Sequence, residues 1–114
     1  MPDRDCVFCK IVAGEAPSQK VHEDAHVVAF KDVNPRAPLH VLVVPREHVA
    51  SLGEARDPAL VGRVALAAAK IARDAGYGER GFRVVANNGP DAGQSVPHLH
   101  FHVLAGRLLG WPPG

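Results

Sequence analysis

The sequence has only two cysteines, three positions apart at Cys6 and Cys9. A disulfide framework needs cysteines spread along the chain, so it is excluded, and a metal or redox pair becomes the question. No apolar run approaches the roughly 20 residues that cross a bilayer, which excludes a transmembrane helix and removes the membrane as an expected partner. Neither sign of charge is in excess: 13 Lys and Arg stand against 12 Asp and Glu, for a net charge of +1. That balance gives no electrostatic case for nucleic acid. The start, Met1-Pro2-Asp3-Arg4-Asp5, is charged and has no signal-peptide core behind it, so a cytoplasmic protein is expected. Repeats, low-complexity segments and linkers are all lacking. The 114 residues, 46% hydrophobic and 22% charged, are therefore expected to form a single domain over 1–114.

What is present is concentrated near the C-terminus. In His98-Leu99-His100-Phe101-His102-Val103-Leu104, three histidines alternate with apolar residues. The alternation predicts a β-strand with Leu99, Phe101 and Val103 in the core and the histidines on a wet face, roughly 7 Å apart. Imidazole can act as base, acid, nucleophile or metal ligand near neutral pH, so three in a row on a strand read as a site.

The rest of the chain supplies an α+β frame. Cys6–Val12 reads as one or two helical turns closed by Gly14. Lys20–Glu23 and Val27–Lys31 read as strands joined by a turn at Asp24-Ala25. Two prolines and an asparagine force a loop over Asp32–Pro38. His40–Val44 is apolar after its histidine, which predicts a strand covered on both faces. Asp57-Pro58 starts the main helix, with Leu60, Val64, Ala67, Ala68, Ile71 and Ala75 on one stripe and Gly76 as the stop. Phe82–Ala86 is a further strand. The glycine-rich turn Asn87–Gly93 leads back to the histidines, so these two strands should form a hairpin. The Pro- and Gly-rich tail around Trp111 is expected to stay out of the sheet. Strands, one long helix and more strands indicate an antiparallel sheet packed on a helix.

A neutral imidazole is a competent nucleophile toward phosphorus, giving a covalent phosphohistidine. Its attacking nitrogen must be unprotonated while an acceptor holds the N–H on the other. His100, flanked by two histidines, is best placed for this. At the foot of the strand, Gly93 lets a phosphate approach the backbone, and Gln94 and Ser95 can bind its oxygens.

These segments resemble the histidine triad superfamily of nucleotide hydrolases and transferases. Asp32–His40, Val43–His48, Asn87, Gly93–Ser95 and Trp111–Gly114 resemble its histidine triad nucleotide-binding branch in particular. The resemblance covers nearly the whole chain. It implies a five-stranded antiparallel sheet with one long and one short helix, paired into a homodimer. It also implies hydrolysis of purine nucleoside phosphoramidates, AMP- or GMP-conjugates bonded through nitrogen, without an organic cofactor. His100 matches the nucleophile, and His102 the residue near the leaving group and α-phosphate. His40 and His98 match supporting members, and Ser95 a hydroxyl that helps the leaving nitrogen. Asn87, Gly93 and Gln94 match the phosphate side. Asp32 matches the ribose-binding carboxylate, although it also suits a plain turn residue. Phe8, Ile11, Phe30 and Val33 match the apolar slot for the base, and Trp111 a tail that docks near the partner's site. Two other functions remain open: a dinucleoside polyphosphate hydrolase or nucleotidyl transferase of a neighbouring branch, and a nucleotide-sensing binding module. Ser95 and the Trp-Pro-Pro-Gly tail favour the phosphoramidase.

The cysteine pair departs from the best-known members of that branch. Cys-x-x-Cys is half of a zinc site. His48 and His98 match ligand positions in zinc-bearing relatives and would complete a structural S₂N₂ set. Reduced buried thiols are the plain alternative. A thioredoxin-like pair is disfavoured because no strand precedes Cys6.

Overall fold

The computed structural model describes residues 5–114, so the start of the chain, residues 1–4, lies outside the described residues. The first element is a helix at Val7–Val12 (α1), capped by the Cys6 sulfur, which accepts the Cys9 N–H at 3.3 Å. Gly14 ends it at φ +77°, a left-handed conformation natural to glycine. Strands follow at Lys20–Glu23 (β1), Val27–Lys31 (β2) and Leu39–Pro45 (β3). The turn between β1 and β2 is tied by Asp24, whose Oδ1 accepts the N–H groups of His26 and Val27, both at 2.8 Å.

The long helix spans Pro58–Asp74 (α2), with Asp57 accepting the Ala59 N–H at 2.9 Å as its N-cap. Its end is a paired closure. Tyr77 N–H bonds Ala72 O and Gly76 N–H bonds Arg73 O, both at 2.9 Å, with Gly76 at φ +94°. This closure corrects the predicted stripe. Ala75 is the exposed cap of the helix, and Ala72 joins Val64, Ala67, Ala68 and Ile71 in the buried row.

Strands at Arg83–Val85 (β4) and Phe101–Ala105 (β5) complete a five-stranded sheet in the order β1-β2-β3-β5-β4, antiparallel at every pairing. The fold is therefore the expected α+β arrangement of five antiparallel strands with one long and one short helix, plus a single 3₁₀ turn at Leu52–Glu54 that gave no signal in the sequence. The central strand β3 alternates between two cores. Val41 and Val43 pack with Leu99, Phe101 and Val103 under α2, while Leu42 and Val44 pack with Phe8, Cys9, Ile11, Val28 and Phe30 under α1. The apolar run that follows His40 had implied this double cover.

Two expectations are corrected here. The strand predicted to begin at His98 begins at Phe101, so His98 and His100 lie in the segment entering β5. The face carrying the histidines is not wet. His98 and His100 are buried and His102 is half-buried, because α1 lays Phe8 and the two cysteines over that side of the sheet.

Candidate functional site

The site lies where the entry into β5, the start of β3 and the loop between β2 and β3 meet beneath α1. His40 and His102 are brought together by the β3–β5 ladder, which pairs His40 with Leu104 and Leu42 with His102. His40 Nε2 lies 2.9 Å from His102 Nδ1 and 3.3 Å from Asp32 Oδ2. The ring centroids of His100 and His102 are 5.2 Å apart, and Phe8 stands edge-to-face against His100 at 5.0 Å.

The hydrogen-bond partners fix where each ring carries its proton. His100 Nδ1 is 2.7 Å from the His98 carbonyl, which can only accept, so this nitrogen holds the proton and Nε2 keeps its lone pair. The Arg36 backbone N–H, which can only donate, lies 2.9 Å from His40 Nδ1. The single ring proton of a neutral His40 therefore sits on Nε2 and is donated toward His102 Nδ1. His102 in turn carries its proton on Nε2. His98 Nε2 is 2.9 Å from Pro45 O and donates to it, which leaves Nδ1 unprotonated.

All of this requires neutral rings, and burial favours them. It pushes the imidazolium of His98 down to about 4. His40 and His102 are also held below the ordinary imidazole value, again mainly by burial, with the Asp32 carboxylate opposing the shift in both.

The unprotonated His98 Nδ1 points at a second cluster. It lies 3.3 Å from Cys6 Sγ, 3.5 Å from Cys9 Sγ and 3.2 Å from His48 Nδ1, while Cys9 Sγ is 3.2 Å from His48 Nδ1. Four ligand atoms from Cys6, Cys9, His48 and His98 thus converge within 4.8 Å of one another. Tetrahedral zinc with ordinary bond lengths has edges of about 3.3 Å between nitrogens and about 3.6 Å between nitrogen and sulfur. The donor set and its spacing fit such an ion. Burial pushes the Cys6 thiol up in the absence of a cation.

A cavity of about 780 Å³ opens between α1 and β2 and contains all five residues expected around the base and ribose: Phe8, Ile11, Phe30, Asp32 and Val33. Phe8 and Phe30 meet edge-to-face at 5.4 Å. Leu42, Gln19 and Lys31 also line it. They were missed because nothing in their local pattern separates a pocket wall from an ordinary strand or turn. Asp32 is both a turn residue and a pocket residue. Its Oδ1 accepts the Asn34 N–H at 2.8 Å, while Oδ2 faces His40.

The loop expected on the phosphate side is held by a set of hydrogen bonds centred on Gln94. The Gln94 amide ties this loop to itself and to the chain after β3, donating to Val96 O at 3.1 Å and to Ala50 O at 2.9 Å and accepting from Gly89 N–H at 2.9 Å. The N–H groups of Gly93 and Gln94 also bond within the loop, to Pro90 O and Gly89 O. Gly93 is at φ +83°, so its glycine is required by the turn itself. Asn87 is half-buried, Ser95 is exposed, and neither lines the cavity. Trp111 is 82% exposed, so within one chain the tail docks its aromatic on nothing.

Comparison with protein-family models matches residues 13–109 to the HIT domain. An uncharacterized HIT-like protein of Synechocystis sp. is 48% identical over 112 residues, covering 96% of this chain and 97% of that protein. A 14 kDa zinc-binding protein of Zea mays is 42% identical over 118 residues, covering all of this chain and 91% of the relative. The crystal structure of a HIT family hydrolase from Legionella pneumophila superposes with a TM-score of 0.94 at 41% identity, over 96% of this chain and all of that one. The triad geometry, the sheet order and these matches agree, and the chain belongs to the HIT domain family.

Proposed function

We propose that the protein hydrolyses purine nucleoside phosphoramidates through a covalent nucleotidyl-His100. The observation that carries this reading is the different hydrogen bonding of two neighbouring rings: the His98 carbonyl at His100 Nδ1 leaves a lone pair at His100 Nε2, and the Arg36–His40–His102 chain leaves a proton for His102 Nε2. Nucleophile and proton donor are thereby ready before substrate arrives. In the first step the His100 Nε2–phosphorus bond forms and the phosphorus–nitrogen bond breaks. The leaving nitrogen takes the proton held at His102 Nε2 and departs as an amine. The negative charge left on the His102 ring is met by the His40 N–H at its Nδ1 and balanced by the positive charge that the Nδ1-protonated His100 ring gains on bonding phosphorus. In the second step water attacks phosphorus, the phosphorus–His100 bond breaks, a proton returns to His102, and the nucleoside monophosphate leaves.

The apolar walls of Phe8, Ile11, Phe30 and Val33 take the base, and Asp32 accepts the ribose hydroxyls. Asn87, Gly93, Gln94 and Ser95 form the loop on the phosphate and leaving-group side, with the Ser95 hydroxyl directed at the leaving nitrogen. Gln94 contributes by shaping this loop. The working form is a homodimer in the cytoplasm, with Trp111 covered by the partner.

Cys6, Cys9, His48 and His98 hold a structural zinc, a reading supported by the fit of the four donors and by the zinc-binding relative from maize. Bound there, the ion supplies a cross-link between α1 and the entry to β5, with all four positions filled by protein.

Alkaline quench during turnover of an adenosine phosphoramidate, which preserves a phosphorus–nitrogen bond to histidine, followed by peptide mass spectrometry at alkaline pH, should find the nucleotidyl group on the peptide containing His100. Diadenosine polyphosphate should turn over far more slowly in the same assay. Faster cleavage of the polyphosphate would move the protein to a neighbouring branch of the superfamily. Saturable nucleotide binding with no turnover of either compound would make it a sensing module.

A further inference from the structure

The His40–His102 relay depends on a backbone group. If the Arg36 N–H turned away, Nδ1 would lose the donor that keeps it unprotonated, and only the Asp32 Oδ2, at the longer distance of 3.3 Å, would still favour the proton on Nε2 over Nδ1. With that proton on Nδ1, His40 could no longer donate to His102, and His102 would have no fixed proton to offer. The loop that presents Arg36 is tied internally by Asp32 N–H to His40 O at 3.0 Å and Asn34 N–H to Asp32 Oδ1 at 2.8 Å. One further hydrogen bond reaches it from a distant part of the sequence. Arg107 donates from Nε to Arg36 O at 2.8 Å, across 71 positions.

Arg107 can reach because of what precedes it. Gly106, at φ +99°, lies so close to the loop that a Cβ there would stand 2.8 Å from Pro38 Cβ. The exit of β5 is thus pressed against the 32–38 loop, and Arg36 is held on both sides: its N–H by His40 and its carbonyl by Arg107. Arg107 also donates from a terminal nitrogen to Leu108 O at 3.1 Å, which fixes the direction of its own side chain.

The geometry points to Arg107 as a positioning residue for the reaction. By holding Arg36 in place it fixes the proton of His40 on Nε2, and through His40 the proton of His102 on Nε2. Arg107 is not among the residues lining the cavity, and its side-chain hydrogen bonds go to Arg36 O and Leu108 O, so its effect reaches the chemistry along this chain of hydrogen bonds. The inference rests on the catalytic reading above for its kinetic consequence, and on hydrogen-bond geometry alone for its structural one.

The test compares wild type, Arg107→Ala and Arg107→Lys as the full, metal-replete protein. One readout is the imidazole ¹⁵N spectrum, which separates the two neutral tautomers of each ring. The other is turnover of an adenosine phosphoramidate. Wild type should show His40 and His102 as Nε2–H forms and His100 as the Nδ1–H form. Arg107→Ala should shift His40 toward a mixture of tautomers and lower kcat about two- to tenfold, the net worth of one hydrogen bond, with KM within about twofold. Arg107→Lys, which keeps a cationic donor, should recover part of both. An Arg107→Ala spectrum unchanged at His40 and His102 overturns the inference, whatever happens to the rate. A shift at His40 in a protein that turns over no phosphoramidate would support the positioning role and overturn the proposed substrate class.

Discussion

Asp32→Asn separates the turn-holding role of this carboxylate from its proposed contact with ribose. In the folded chain Asp32 Oδ1 caps the Asn34 N–H at 2.8 Å and Oδ2 lies 3.3 Å from His40 Nε2. Asparagine keeps a carbonyl oxygen for the Asn34 N–H, so the loop should survive and the thermal midpoint should move little. What disappears is a charged acceptor at the rim of the cavity. A hydrogen bond to a charged group is worth about 1.5–3 kcal/mol, and removing it from a ribose clamp should weaken AMP binding by about 10- to 150-fold. The 2′-deoxy nucleotide already lacks one of the two hydroxyls, so its loss should be clearly smaller. Isothermal titration of AMP and dAMP against both proteins gives the four constants needed for a double cycle. A second consequence has a fixed sign. Asp32 is the group that raises the pKa values of His40 and His102 against the effect of burial. Its neutralisation must lower both further, so the acid limb of the rate profile should move to lower pH. Equal losses for the ribo- and deoxyribonucleotide, with no movement of the acid limb, would leave Asp32 as a turn residue alone.

Three further outcomes are expected. His100→Ala should abolish turnover, with a loss that approaches about 10⁶-fold where a nucleophile acts as part of a unit, while nucleotide affinity stays near wild type. Measurable steady-state turnover by this variant would exclude the covalent route. Protein purified without chelator should contain about one zinc per chain. Cys9→Ser should lose that zinc and melt roughly 10 °C or more lower, since about 2 kcal/mol corresponds to that shift in a domain of this size. Wild type with only traces of metal by elemental analysis would return Cys6 and Cys9 to buried thiols. The third outcome concerns pH. Burial holds the folded pKa values of His40 and His102 below the ordinary 6.5, so the unfolded chain binds more protons in acid than the folded one. Stability and the neutral relay should both be present above pH 6.5 and lost as pH falls through the folded values. An acid limb centred above 6.5 would contradict this sign.

The fold was legible where local chemistry and tertiary need coincide. Asp57-Pro58 and Gly76 bounded α2 because capping and a left-handed closure are written in residue type. The apolar run of β3 after His40 announced its two covered faces for the same reason. Legibility failed where one residue type serves two ends. Alternation put the histidines on a wet face because histidine is polar. Yet a neutral imidazole buries readily once its N–H has an acceptor, and a helix of only six residues carries too little pattern to announce that it will cover them. The side chain of Gln94 and the resemblance both put it on the phosphate side, but neither tells which groups its amide meets. Its place in the fold, bonded to Ala50 and Val96, depends on a backbone course that its neighbours in sequence do not reveal.

The triad motif names three like residues, but the chemistry needs them to be unlike. What makes them different is the partner each ring meets on its inner side. His98 gives Nε2–H to Pro45 O and so turns an unprotonated Nδ1 toward the cysteines. His100 gives Nδ1–H to His98 O and so keeps an unprotonated Nε2, the atom proposed to attack phosphorus. His102 receives at Nδ1 from His40, itself oriented by the Arg36 N–H, and so keeps a proton on Nε2. Two of these three partners are main-chain carbonyls, and the third relies on a main-chain amide one residue further out. A backbone group leaves no mark in a sequence pattern. Residue types could therefore locate the site, whereas the division of labour within it follows from the path of the chain around each ring.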